Sequence, residues 1–131
     1  MATPTVTAFG WELHNSSAGH DKFYRILLVE QFLLFNWGTR DGRGQFRGRK
    51  VDTVDVAKRS AAQQTDAKHA KGYLVTRDAT PFTVPVDIVR DLTSLPVGKI
   101  KNPSPKICDE VVKLFKAAAA RMGTALPEAS R

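Results

Sequence analysis

Cysteine occurs once in the 131 residues, at Cys108. A single thiol excludes an internal disulfide and cannot build a thiolate metal site. Histidine is also scarce: His14, His20 and His69 are scattered, and none has the spacing of a ligand pair on one element. No apolar run approaches membrane length. Residues 26–29 and 32–35 are separated by Glu30 and Gln31, and they read as strands, not a span. The N-terminus lacks a charged-then-apolar pattern, so a cytoplasmic setting is expected. Acidic residues are few as well. Thirteen Asp and Glu stand against twenty Lys and Arg, for a formal charge of +7.

That imbalance favours an acidic partner, nucleic acid foremost. A membrane surface is disfavoured, because no helix pairs a basic face with a bulky aromatic one. The charge is unevenly placed. Residues 40–50 hold four Arg and one Lys against one Asp, a local excess of +4 within the total of +7. Trp37-Gly38 lies just before this stretch, which includes Gly42 and Gly44. A glycine-rich turn buries little by itself. An aromatic with arginines around it suits stacking and phosphate contact. The residues alone fit equally well a hairpin corner with a core Trp and solvated arginines.

Along the chain, residues 1–14 read as a first strand interrupted at Gly10, with Trp11 on the core or sheet face. Residues 15–21 are rich in Ser, Asn and Gly and read as a loop. Residues 22–30 and 32–37 are apolar on nearly both faces and should pair as an antiparallel hairpin. Residues 46–50 form a plausible fourth strand, with Gln45, Arg47 and Arg49 alternating onto one side. A helix follows Asp52-Thr53 and ends near Ala70, with Gly72 as its stop. Its stripe of Val54, Ala57, Ala61, Gln64 and Lys68 is small-sided, so it should lie close on a sheet. Residues 73–76 read as a final strand. The pattern predicts an α+β fold: a small antiparallel sheet with one helix across it and a helical C-terminal extension.

Proline punctuates the remainder at Pro81, Pro85, Pro96, Pro103 and Pro105. Residues 79–104 are expected as a linker, extended over 79–86, with a turn or two of helix at 87–92 and a basic connection after 97. Ser104-Pro105 opens a helix whose apolar face is Ile107, Val111, Leu114, Phe115, Ala118 and Met122. That face must be covered, by the sheet domain or by a second copy. Cys108 beside it is a small buried side chain, and the tail after Gly123 is expected to be disordered. The domains are therefore 1–78, 79–104 and 105–131.

The order of landmarks resembles a WGR domain over about residues 5–76. The landmarks are Lys22-Phe23-Tyr24-Arg25-Ile26, Trp37-Gly38, Arg43-Gly44-Gln45, and a capped helix closing at Lys71-Gly72-Tyr73. The resemblance implies a small antiparallel sheet crossed by a helix, and a non-catalytic module that contacts nucleic acid, DNA ahead of RNA. The family occurs in DNA-dependent poly(ADP-ribose) polymerases and in bacterial proteins. In the polymerases its Trp meets the sugar at a 5′ end. Trp37 would then be the stacking residue, with Gly38 letting the backbone approach. Thr39 replaces the family's motif Arg, and Arg40 and Asp41 follow where an aliphatic residue and a Gly are usual. That leaves end against internal binding open.

The expected contact residues are Trp37, Gly38, Arg40, Arg43, Gln45, Arg47, Arg49 and Lys50, supported by Lys22 and Arg25. A DNA-binding protein of this kind would be nucleoid-associated. The competing reading is a bacterial or phage adaptor that docks a protein partner, or a second copy, through residues 105–122 or through the WGR surface. No catalytic or metal-binding residue and no cofactor is expected. No nucleophile–base pair or carboxylate cluster is present, and Gly42-Arg43-Gly44 lacks the Gly-Lys-Ser/Thr ending of a phosphate loop. Residues 77–131 are too short for an ADP-ribosyltransferase domain.

Overall fold

The computed structural model describes residues 4–16, 21–39, 42–93, 95–101 and 103–122. Among them the chain forms six strands and three helices. These are β1 (Thr5–Asn15), β2 (Lys22–Val29), β3 (Phe32–Thr39), β4 (Gln45–Lys50), α1 (Val54–Ala70), β5 (Leu74–Pro85), α2 (Val86–Thr93), β6 (Gly98–Ile100) and α3 (Pro105–Met122). The strands make one antiparallel sheet in the order β5-β1-β2-β3-β4-β6. The α+β class expected from the sequence is present.

The central strands are buried on both faces because helices cover both. On one side α1 packs over Leu13, Tyr24, Ile26, Leu28, Leu33 and Phe35. Its buried residues are Ala57 and Ala61, whose small side chains let the helix lie close. Thr53 caps it, its hydroxyl accepting from the Val56 N–H at 3.1 Å. Trp11 is half-buried against this same core.

On the other side Ile107, Val111 and Phe115 of α3 join Leu27, Val29, Phe32, Leu34, Phe82 and Val84. The apolar face of α3 is thus covered by the chain's own sheet. Ala118 and Met122 have side chains outside the described set. Phe115 meets Phe82 edge-on, with ring centroids 5.1 Å apart. Gly10 makes room for that pair: a Cβ there would come within 2.2 Å of Phe82 and 2.8 Å of Phe115. In the sequence this strand reads as interrupted at Gly10. The strand runs on through it with a register shift before Glu12. Cys108 is buried, and burial pushes its thiol above the ordinary value.

Two differences from the sequence reading concern the C-terminal half. Residues 79–85, expected as an extended link, continue β5 along β1, from Thr80 opposite Gly10 to Pro85 opposite Thr5. β5 is an edge strand, where a missing proline N–H is tolerated. Residues 98–100, expected within a basic connection, form β6 on the outer edge of β4. The expected short helix is present as α2, which lies against β5 and α3. The tail after Gly123 lies outside the described residues. No described helix is long and apolar enough to cross a membrane.

Candidate nucleic-acid interface

Strand register decides which charged residues meet Trp37. Cross-strand partners share a face of the sheet. Tyr24 pairs with Trp37, and Trp37 with Gln45. Phe35 pairs with Arg47, and Leu33 with Arg49. Gln45, Arg47 and Arg49 therefore stand on the α1 side, beside Trp37. Arg47 lies over the Trp37 ring at 5.6 Å, and Trp37 packs on Tyr24 at 6.4 Å between centroids. The indole is half-buried, with one part on the α1-side core and the rest open.

Three concavities meet at that indole. The first, of about 270 Å³, has an aromatic floor of Tyr24, Phe35 and Trp37. Its walls carry Arg47 and Arg49 from β4, Lys68 and Lys71 from the end of α1, and Lys99 from β6. The second is formed by Trp37, Gln45, Phe46, Arg47, Lys99 and Lys101. The third holds Lys22, Gly38, Thr39, Gly44, Gln45 and Tyr73. None of the three linings includes a carboxylate. Among the described residues, none of the five cations of the first pairs with one.

The electrostatics show this crowding. Lys68 lies 4.6 Å from the Tyr24 ring centre and 5.7 Å from that of Tyr73. Burial and then the neighbouring Lys71 push its pKa below the ordinary lysine value. The Tyr24 hydroxyl is pushed up to about 12 by burial, with Tyr73 adding to the rise and Arg47 and Arg49 opposing it. A bound anion would relieve the repulsion among the lysines and arginines.

The turn after Trp37 is held from inside. Asn36 is fully buried, and its amide donates to the backbone carbonyls of Arg43 and Gln45, each at 3.0 Å. Its Oδ1 accepts from Arg25 at 3.2 Å, and Arg25 in turn donates to Glu12 at 3.0 Å. Glu12, Arg25 and Asn36 are successive cross-strand neighbours, forming a polar row across β1, β2 and β3. Burial raises the Glu12 pKa, but hydrogen bonds from His14 and Arg25 and the charge of Arg25 hold it below the usual carboxylate value. Gly44 has a φ of +80°, and a Cβ there would meet the Trp37 carbonyl at 2.5 Å. A Cβ on Gly38 would meet the Gly44 Cα at 2.8 Å. The bare Cα of Gly38 thus serves the close approach of the turn's own backbone.

The ten residues singled out from the sequence divide accordingly. Trp37, Gly38, Gln45, Arg47, Arg49 and Lys22 come together on the open surface. Arg25 lies on the opposite face, inside the polar row, with its guanidinium 4.2 Å from the Phe23 ring centre. Lys50 also faces that side, over Phe32 at 5.3 Å and donating to the Leu95 carbonyl at 2.8 Å. Arg43 pairs with Asp109 of α3 at 2.6 Å. Arg40 lies outside the described residues. Sequence reasoning missed Lys68, Lys71, Lys99, Lys101, Tyr24 and Tyr73 as site residues. Helical spacing puts Gln64, Lys68 and Lys71 on one stripe, a signal that could have found two of them. Among the described residues no cluster of His, Cys, Asp and Glu could hold a metal ion.

Comparison with known proteins agrees with this architecture. The model of the WGR domain family matches residues 10–80. A protein from Bacteroides fragilis of solved structure matches with a TM-score of 0.50 at 20% identity, over 52% of this chain. The chain spans 19% of that protein's length, and the likeness concerns the fold alone. No curated protein matches. With more than half of its residues inside the family segment, from β1 through most of β5, the chain belongs to the WGR domain family.

Proposed function

We propose that this chain is a non-catalytic nucleic-acid-binding module whose contact surface is the α1 side of the sheet around Trp37. WGR domains are a family of nucleic-acid-binding modules, and DNA stands ahead of RNA by the family's place in DNA-dependent poly(ADP-ribose) polymerases. The observation that supports this reading best is the convergence on one half-buried indole of three carboxylate-free concavities, two lined by lysines and arginines and the third bordered by Lys22. Trp37 would stack on a sugar or base. Arg47, Arg49, Lys68 and Lys71 would meet phosphates, with Lys22 and Gln45 at the rim. Arg25 acts behind the surface, through Asn36, by holding the turn. Arg43 braces the turn against α3.

The test is a titration of blunt, recessed and single-stranded DNA, and of RNA, at two salt concentrations. Binding should weaken steeply with salt and fall on Trp37→Ala and on Arg47→Ala. Equal binding of all ligands, untouched by either substitution, would refute it. The adaptor reading by way of residues 105–122 finds less support, because the α3 face packs on the chain's own sheet.

A further inference from the structure

We infer that β6, a strand outside the family segment, adds Lys99 and Lys101 as a second phosphate-binding rim. The ligand is then a polynucleotide whose backbone runs on from the nucleotide at Trp37 across β4 and β6. This rests on the reading of the Trp37 surface given above and extends it to residues beyond position 80.

The placement follows from register. Lys99 pairs with Arg49, and Gly48 with Ile100. Arg49 stands on the α1 side, so Lys99 does too, one strand spacing further out, about 5 Å. Ile100 turns the other way and packs over Gly48, where an added Cβ would come within 3.1 Å of it. That packing, with the Lys50 bond to the Leu95 carbonyl, fixes β6 on the edge of β4. Lys99 lines the first and second concavities, and Lys101 lines the second. Both residues are exposed, and among the described residues neither pairs with a carboxylate. Together with Arg47 and Arg49 they make a basic margin two strands wide, on the side of Trp37 away from Lys22.

The experiment uses the full chain and a fluorescein-labelled DNA duplex with one recessed end, titrated across about 50–200 mM salt. The double substitution Lys99→Ala/Lys101→Ala should weaken binding and flatten the plot of log affinity against log salt by about 1.8. A control, Lys106→Ala/Lys113→Ala, removes the same charge from exposed positions on α3 and should leave the slope unchanged. Circular dichroism melts check that all variants fold. A Lys99/Lys101 variant that binds like the parent, while Arg47→Ala binds weakly, overturns the inference and spares the reading of Trp37. An equal effect of the α3 control also overturns it, since overall charge would then explain the loss. If the parent chain shows no binding, both readings fall together.

Discussion

Single residues on the two faces of the sheet should respond differently to substitution. Trp37→Ala should cost about 1–3 kcal/mol of binding by loss of stacking, with little change in stability beyond its half-buried contacts. Glu12 is the opposite case: it is buried, touches Arg25, and faces no ligand. Glu12→Gln leaves Arg25 and the buried Arg77 without that charge and should cost about 3–5 kcal/mol of stability at neutral pH. The sign of its pH dependence is fixed by the lowered pKa. A carboxyl depressed on folding stabilises above its unfolded value, about 4.3, and loses that contribution as pH falls through the folded one. The gap in stability between the parent and Glu12→Gln should therefore narrow below about pH 4, as measured by urea melts. At the alkaline end, Tyr73→Phe leaves Tyr24 as the one tyrosine; burial still holds its pKa above the ordinary value, and loss of the Tyr73 contribution should bring its tyrosinate absorbance in below the pH of about 12 expected for the parent.

At the level of elements, the turn after Trp37 depends on Asn36 more than on its own residues. Asn36→Ala would orphan the carbonyls of Arg43 and Gln45 and one arm of Arg25. It should cost on the order of 1–3 kcal/mol for each group left buried and unpaired. It should also weaken nucleic-acid binding while the Trp37 side chain is intact. Much of the element order was legible in the sequence, because the continuous apolar runs of β2 and β3, the alternation of β4 and the capped start of α1 are local signals. The edges were not. Pro81 and Pro85 read as breakers, yet an edge strand accommodates them on β5. β6 is three residues long and is held by pairing with β4 and by Ile100 against the core, so no local pattern announces it. The basic surface was half legible for the same reason. Arg47 and Arg49 are close to Trp37 in sequence, whereas Lys68, Lys71 and Lys99 reach it only through folding. Arg25 and Lys50 were grouped with it by proximity, although the two-residue period of a strand sends them to the other face.

For the whole molecule, the helical extension is part of the core. Phe115 and Ile107 are each 1% exposed and seal the side of the sheet that α1 leaves open. Phe115→Ala should cost about 3–5 kcal/mol, read as a lowered midpoint in thermal or urea melts. Seen this way, the described chain is a sheet with one face closed by α3 and the other partly open beside α1, where cations surround the Trp37 indole. The most direct test uses a Trp11→Phe variant, in which Trp37 is the sole tryptophan. Its emission is followed during titration with a DNA oligonucleotide, and binding is monitored separately by anisotropy of a labelled strand. Saturable change in Trp37 emission, with loss of access to a soluble quencher, is expected in step with binding. Full binding by anisotropy with Trp37 emission and quencher access unchanged would place the nucleic acid elsewhere on the molecule and contradict the assignment.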